Sequence, residues 1–301
     1  MSDAIILFSH GSLLCGAGEN LGGLAQRMRE RGDAPLVEVG YLNYSEPPFE
    51  EAFANCVAQD ATRIIVAPYF LVAGYFVTKT LAPKIAAMQA QYPDVEVRLA
   101  EAMRFHPSLA EAVLACAARA AAPETWRGLL STAPLFCRAD SQCPLYGSEQ
   151  CPATGKNLTL QGRDLTTLPP HDLTTSLATA LLVMAHGSPQ PESNDDLFAV
   201  VDLVRQCGIY HAVRAGFLEC NAPLIPAALE ACVAEGAQRI IAVPYFLHAG
   251  NHVAADLPAL LEEAQAKYPH LEFLMGDYLG HDVLIADVVR DRVAGALELS
   301  S

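Results

Sequence analysis

The chain has 301 residues, of which 52% are hydrophobic, and this length suits two domains that each bury a core. The formal net charge of −15 argues against nucleic acid and anionic membrane surfaces as partners, because both attract a basic surface. The amino terminus lacks the pattern of a signal peptide, and no apolar run is long enough for a membrane-spanning helix, so we expect a cytoplasmic protein.

Short apolar runs alternate with helical patterns through the first 122 residues. The predicted elements are, in order, 4–8 (strand), 17–31 (helix), 36–42 (strand), 47–59 (helix), 63–67 (strand), 75–91 (helix), 95–99 (strand) and 108–122 (helix). Pro83 marks a kink or a late start in the third helix. Apolar strands that alternate with helices favour a parallel sheet with helices on both faces.

The second half of the chain repeats the first at an offset of 176 residues. Ser-His-Gly-Ser at 9–12 aligns with Ala-His-Gly-Ser at 185–188, and Pro-Tyr-Phe-Leu occurs at 68–71 and again at 244–247. A constant offset over about eighty residues indicates an internal duplication. Further strands are predicted near 180–185, 212–218, 239–243 and 271–275. We therefore expect an α/β fold of two tandem doubly wound domains with parallel sheets.

The duplication divides the chain into three parts. We predict an N-terminal repeat at 1–122, a C-terminal repeat at 177–301, and a linker at 123–176 that matches neither repeat. The linker is rich in Pro, Thr, Gly and Asp, and a connection of this length without periodicity is usually functional or disordered.

Three polar side chains follow three different predicted strands of the second repeat. They are His186, Glu219 and His252. Ligands of open parallel α/β sheets bind beyond the carboxyl ends of the strands, and two imidazoles with a carboxylate suit a divalent first-row metal. A single histidine after a strand is more often an ordinary loop residue, so the prediction of a metal site depends on the three residues together.

The first repeat keeps the scaffold but only part of this set. The aligned residues that differ are Asn43 and Glu219, Val72 and His248, and Phe76 and His252. The second repeat therefore carries the complete set of reactive groups. His10, which aligns with His186, is either a cleft residue or a remnant of the duplication, and His248 either lines the cleft or faces solvent.

These motifs resemble those of the sirohydrochlorin chelatases, the CbiX/SirB-like class II chelatases. The resemblance rests on His-Gly-Ser after the first strand, Phe-Leu-Glu after the second, and Pro-Tyr-Phe-Leu-x-Ala-Gly-x-His-Val-x-x-Asp-Leu-Pro at 244–258. It implies two lobes with a cleft between them, and a lyase that inserts Co²⁺ or Fe²⁺ into sirohydrochlorin for cobalamin or sirohaem synthesis. It also implies that His186 and His252 handle the metal and protons, with Glu219 as their acidic companion.

The residue types suit that reaction, because metal insertion releases two pyrrole N–H protons. Neutral imidazoles bind borderline metals and titrate near neutral pH, so His186 and His252 can act as ligand and base. Glu219 can accept a proton or orient an imidazole. The substrate is a polycarboxylate, so Lys79 and Lys84 are candidates for contacts with it, unless they lie on a solvated helix face.

Three cysteines of the linker, Cys137, Cys143 and Cys151, have the spacing C-x5-C-x7-C. A cysteine cluster in a cytosolic protein suggests metal ligation, and a 4Fe–4S cluster needs four ligands. The fourth ligand would be Cys116 or a cysteine of another chain, or it is absent. Zinc is an alternative metal, although the spacing is not a standard zinc pattern. A further alternative is that the three cysteines are loop thiols that bind no metal.

Two other functions fit the same sequence. The protein could carry a tetrapyrrole or a metal without catalysis, or it could be an iron–sulfur redox or sensor protein with a vestigial cleft. Loss of the second histidine from one repeat only favours an enzyme over a carrier. We expect a tetrapyrrole as the partner, not nucleic acid or a membrane, and a monomer or homodimer.

Overall fold

The structure, a computed structural model, describes residues 2–11, 20–122, 177–189, 191–248 and 250–298. Strands and helices alternate throughout these ranges. In the first half they are β1 (Asp3–Ser9), α1 (Asn20–Arg31), β2 (Leu36–Tyr41), α2 (Phe49–Ala58), β3 (Arg63–Pro68), a π-helix (Phe76–Leu81), α3 (Ala82–Gln91), β4 (Glu96–Leu99) and α4 (Pro107–Ala118). In the second half they are β5 (Thr179–Ala185), α5 (Pro191–Gln206), β6 (Ala212–Phe217), α6 (Ile225–Ala234), β7 (Arg239–Pro244), a π-helix (His252–Asp256), α7 (Leu257–Lys267), β8 (Glu272–Met275), a 3-10 turn (Leu279–His281) and α8 (Leu284–Glu298).

Each half forms a parallel four-stranded sheet, in the orders β2-β1-β3-β4 and β6-β5-β7-β8. The central strand β1 is the most enclosed element of the first sheet, and Ala4 to Phe8 are no more than 1% exposed. A strand with neighbours on both sides and helices over both faces needs apolar side chains in both directions, which explains the unbroken apolar run. The expected α/β fold with two parallel sheets is confirmed.

The two halves also share the conformation of their loops. Tyr44 and Cys220, which the offset aligns, have φ values of 64° and 63°. Gly11 and Gly187, which follow the aligned histidines, have φ values of 82° and 97°. The duplication therefore extends to the loops after the strands, and the two repeats present different side chains on nearly the same backbone.

The helix expected at 75–91 begins differently from the prediction. It starts as a π-helix over Phe76–Leu81 and becomes α-helical at Ala82. Pro83, in the first turn of α3, has no N–H to donate to the preceding turn, and that turn can widen. The second half has the same arrangement before Pro258. Such π-helical turns often occur at functional sites.

The chain packs into two compact units, each with one sheet, that are not two continuous stretches of sequence. The first unit includes β1 to β4 and the described residues from Ala286 onward, and the second includes the described residues between Phe105 and Ile285. Helix α4 therefore belongs to the unit of the second sheet, and most of α8 belongs to the unit of the first. The repeat boundaries 1–122, 123–176 and 177–301 stay a prediction.

The hydrophobic cores lie around the two sheets. Cys56 of α2 and Cys232 of α6 occupy equivalent positions and are fully buried in these cores. None of the helices in the part of the chain that the structure describes is both long and apolar enough to cross a bilayer.

Candidate active site

Backbone pairing continues beyond the ends of β5 and β6 and brings His186 beside Glu219. The amide of Leu218 donates to the carbonyl of Ala185 at 2.9 Å, and the amide of Glu219 donates to the carbonyl of His186 at 3.0 Å. Nε2 of His186 lies 3.2 Å from Oε1 of Glu219. The carboxylate can therefore accept a hydrogen bond from this imidazole when Nε2 carries a proton.

Gly187 allows this close approach. Its φ lies in the left-handed region, and a Cβ atom on it would stand 2.0 Å from the carbonyl oxygen of Glu219. In the first half, a Cβ atom on Gly11 would stand 1.8 Å from the carbonyl oxygen of Asn43. A side chain at either glycine would push the loop after the first strand of its sheet away from the loop after the second strand. The two loops can therefore pack this closely only with glycine after each histidine.

The π-helix between β7 and α7 brings His252 to the same edge. Its ring centroid lies 5.0 Å from that of His186, with the two rings inclined by 70°. Nδ1 of His252 is 2.6 Å from Oδ2 of Asp256. Because an ionised carboxylate only accepts hydrogen bonds, this bond assigns the proton of the neutral ring to Nδ1 and leaves the lone pair on Nε2.

Asp256 is a functional candidate that the sequence analysis did not single out, although it belongs to the motif at 244–258. The available signal was its position four residues after His252, a spacing that brings two helical side chains together. In the first repeat the aligned residues are Phe76 and Thr80. Both members of the imidazole–carboxylate pair are therefore replaced together in that repeat.

The edge is open to solvent. The side chains of His186, Glu219, His252 and Asp256 are between 43% and 61% exposed. Among the residues that the structure describes, no group of three or more His, Cys, Asp or Glu side chains has the arrangement of a metal site. The edge therefore presents two imidazole–carboxylate pairs side by side, and not a closed cage of ligands.

The other predicted site residues lie on separate segments. His248 is half-buried in the loop after β7, and His10 follows β1 in the first unit. Lys79 is exposed on the π-helix of the first repeat, whereas Lys84 forms an ion pair with Glu50. Lys84 is thus engaged by a carboxylate of its own unit, and Lys79 is the better candidate for a substrate contact.

Cys116, a candidate iron–sulfur ligand, lies in α4 and is fully buried. Burial, together with the nearby Asp277, raises the pKa of its thiol well above the usual range, and Nη2 of Arg119 lies 3.4 Å from its Sγ. An iron–sulfur cluster is held by thiolates, so this packed and protonated thiol is poorly suited to that role. The other candidates lie outside the described residues: Cys137, Cys143 and Cys151.

Comparison with known proteins gives the same family for both halves of the chain. The family model described as CbiX matches residues 4–120 and again residues 180–296. A sirohydrochlorin cobaltochelatase of Priestia megaterium is 22% identical over 263 residues, which are 87% of this chain and 70% of the relative. A chloroplastic sirohydrochlorin ferrochelatase of Arabidopsis thaliana is 32% identical over 120 residues, which are 40% of this chain and 53% of the relative.

Two solved structures align with this chain and have the same fold as its described residues. SirB from Bacillus subtilis with Fe³⁺ aligns with a TM-score of 0.70 at 17% sequence identity, and the alignment covers 100% of this chain and 97% of the SirB chain. The sirohydrochlorin chelatase SirB from Bacillus subtilis subspecies spizizenii in complex with cobalt has a TM-score of 0.65 at 17% identity, with the same coverage. At this level of identity, the likeness establishes the shared architecture.

Proposed function

Because the chain belongs to the CbiX family, we propose that it is a chelatase, a lyase that inserts Co²⁺ or Fe²⁺ into sirohydrochlorin or a similar tetrapyrrole. Its relatives carry the names of both cobaltochelatases and ferrochelatases. The observation that carries the proposal is the pair of imidazoles at the second sheet, with ring centroids 5.0 Å apart. Glu219 lies against one of them and Asp256 against the other.

In this proposal, His252 and His186 bind the incoming metal. Imidazole nitrogen suits both Co²⁺ and Fe²⁺. Asp256 holds the Nδ1 proton of His252, so Nε2 of that ring is available to the metal, and the carboxylate makes the ring a better donor. The open arrangement suits a metal that must leave for the nitrogens of the tetrapyrrole, because a closed set of protein ligands would retain it.

The protons released by the tetrapyrrole need acceptors at the same edge. One divalent metal replaces two N–H protons, so the charge of the ring system is unchanged and two protons pass to the protein or to water. Once the metal has left it, Nε2 of His186 can take one of them, and Glu219 at 3.2 Å can stabilise the imidazolium or receive the proton in turn. The exposed position of Glu219 gives that proton a route to solvent.

The 4Fe–4S cluster stays a separate proposal that rests on the spacing of Cys137, Cys143 and Cys151. Since Cys116 is a core thiol, the fourth ligand would come from elsewhere. Protein purified without oxygen should then contain iron and sulfide and absorb broadly at about 400 nm. A colourless protein loaded with zinc would exclude the cluster.

Absorbance of sirohydrochlorin mixed with Co²⁺ or with Fe²⁺ tests the chelatase. His252→Ala and His186→Ala should each lower the rate of insertion roughly 100-fold. His270→Ala is a matched control, because His270 is an exposed histidine just before β8, at the amino edge of the sheet. Wild-type rates in both site variants would show that the site is wrong. A wild-type protein that binds the tetrapyrrole but inserts metal no faster than buffer would be a carrier.

A further inference from the structure

At the carboxyl edge of the first sheet, aromatic and basic residues stand at or beside the positions that align with the reactive residues of the second repeat. The aligned pairs, with the first repeat given first, are Asn43 and Glu219, Tyr44 and Cys220, Tyr75 and Asn251, Phe76 and His252, Lys79 and Ala255, and Thr80 and Asp256. Three rings have thus replaced three polar or small side chains. Loss of catalysis alone does not account for exposed rings at neighbouring positions, because exposed apolar surface adds no stability.

The backbone presents the two sets of side chains in the same way. Tyr44 and Cys220 share a left-handed conformation in the loop after the second strand of each sheet. Phe76 and His252 are each the first residue of a π-helix. Phe76 therefore occupies the place in its unit that His252 occupies in the other, and Tyr44 and Tyr75 are next in sequence to the positions that align with Glu219 and His252.

The three rings Tyr44, Tyr75 and Phe76, here called the aromatic edge, lie next to one another: Tyr44 and Phe76 contact His10, and Tyr75 contacts Phe76. The ring centroid of Phe76 lies 4.5 Å from that of His10 and 6.1 Å from that of Tyr75, and the centroid of Tyr44 lies 5.7 Å from that of His10. Phe70 stacks on Phe76 from the side of the core, with centroids 6.3 Å apart. Tyr44, Tyr75 and Phe76 are 54%, 67% and 39% exposed, so they form a surface and not a core.

The net charge of this edge is more positive than that of the aligned positions in the second repeat. Asn43 and Thr80 are neutral where the second repeat has carboxylates, and Lys79 adds a cation on the same short helix as Phe76. Glu46, in the loop after β2, is an acidic group that the first repeat has gained. The π-helix of the first repeat therefore favours an anion, whereas that of the second repeat carries Asp256.

We propose that the aromatic edge and Lys79 bind the tetrapyrrole, the rings through the face of its conjugated system and the lysine through one of its carboxylates. The proposal rests on the proposed function, which supplies a large conjugated polycarboxylate as the ligand. Aromatic side chains pack favourably against the face of such a system, and an ammonium group pairs with a carboxylate. The first repeat then contributes to binding of the tetrapyrrole although it lacks the reactive set of the second repeat.

The dissociation constant of metal-free sirohydrochlorin, measured by its change in absorbance or fluorescence, tests this site separately from catalysis. Tyr75→Ala and Phe76→Ala should each weaken binding about 2- to 10-fold, and Phe76→Tyr should bind like the wild type. Phe76→Leu keeps apolar volume without a ring, so it should resemble Phe76→Ala. Lys79→Gln should weaken binding about 2- to 5-fold at low salt and have no effect at high salt.

Ile209→Ala is the control for the loss of exposed apolar surface, because Ile209 is 53% exposed just before β6, at the amino edge of the second sheet. It should bind like the wild type. If the ring variants keep a native circular dichroism spectrum and the wild-type dissociation constant, the aromatic edge does not bind the tetrapyrrole, even if the protein inserts metal. Binding that depends on the rings in a protein that inserts no metal would keep this site and reject the chelatase.

Discussion

Nδ1 of His252 lies 2.6 Å from Oδ2 of Asp256, one helical turn further along the chain. The carboxylate accepts a hydrogen bond from Nδ1–H and so determines which ring nitrogen keeps a lone pair. Both side chains are partly exposed, so we expect the bond to orient the ring more than it stabilises the fold.

Asp256→Ala should lower kcat/KM for metal insertion about 10- to 100-fold, the usual effect of removing the partner of a metal-binding imidazole. Asp256→Asn should lose less, because its amide oxygen can still accept from Nδ1. Nitrogen NMR of His252 should show the Nδ1–H tautomer in the wild type and in Asp256→Asn, and a mixture in Asp256→Ala. Thr80→Ala, at the aligned position, is the control. A wild-type tautomer and rate in Asp256→Ala would remove Asp256 from the site.

Glu219→Gln keeps the size of the side chain but removes its charge. It should lower kcat roughly tenfold, a smaller effect than for a buried general base, because water can take the proton at this exposed position. The KM for the metal should change little. Glu263→Gln, on the exposed face of α7, is the control. An unchanged kcat would mean that His186 releases its proton without Glu219.

Gly187→Ala should reduce both stability and activity, whereas Gly236→Ala should reduce stability alone. Both glycines have positive φ values, 97° and 89°, so each variant loses about 1 kcal/mol of unfolding free energy to backbone strain. Only at Gly187 does the new Cβ meet the carbonyl of Glu219, which costs a further 1–3 kcal/mol or so and displaces that loop. Urea unfolding and kcat/KM measure the two effects. Equal losses of unfolding free energy and of kcat/KM in the two variants would show that the contact of Gly187 with the carbonyl of Glu219 has no special role.

Arg119 connects α4 to two buried carboxylates within the second unit. Its Nη2 lies 3.0 Å from Oδ2 of Asp282, and its Nε lies 3.5 Å from Oδ2 of Asp277. Arg119→Ala removes the cation beside both groups and should lower the free energy of unfolding by about 3 kcal/mol. Asp202→Ala, which breaks an exposed pair with Arg205 and leaves the hydrogen bond from Arg205 to the carbonyl of Val213, should cost less than about 1 kcal/mol in the same urea titration. Similar midpoints for the two variants would show that the buried pairs do not hold α4.

Burial raises the pKa of the Cys56 thiol to about 12, and the Coulombic effect of Glu38 adds to it. Because the unfolded chain loses this proton at a lower pH, the contribution of Cys56 to stability is complete below about pH 9 and falls as the pH rises toward 12. The unfolding free energy of the wild type should therefore fall more steeply above pH 9 than that of Cys56→Ala. Cys207→Ala, at an exposed thiol, should keep the wild-type slope. Parallel curves of unfolding free energy against pH for the wild type and Cys56→Ala would contradict the raised pKa of Cys56.

Much of the candidate site could be predicted from the sequence, because it follows from strand ends. Each apolar run ends at a polar residue, and parallel strands bring those ends to one edge, so His186 and Glu219 were expected to be neighbours. The distance of 3.2 Å between Nε2 of His186 and Oε1 of Glu219 could be obtained only from the structure, because it depends on the register between β5 and β6 and on the conformation of Gly187. Asp256 was overlooked because one acidic residue four positions from a histidine is common in helices.

By itself, the sequence determined the α/β architecture, the duplication and the loss of reactive groups from the first repeat. These properties are read from apolar periodicity and from a constant offset, which are both local along the chain. Only the tertiary structure decided that α4 packs with the second sheet, that Cys116 is a core thiol, and that the rings of Tyr44, Tyr75 and Phe76 form one exposed surface. Burial and ring contacts depend on which distant segments meet, and neither the repeat nor the periodicity contains that information.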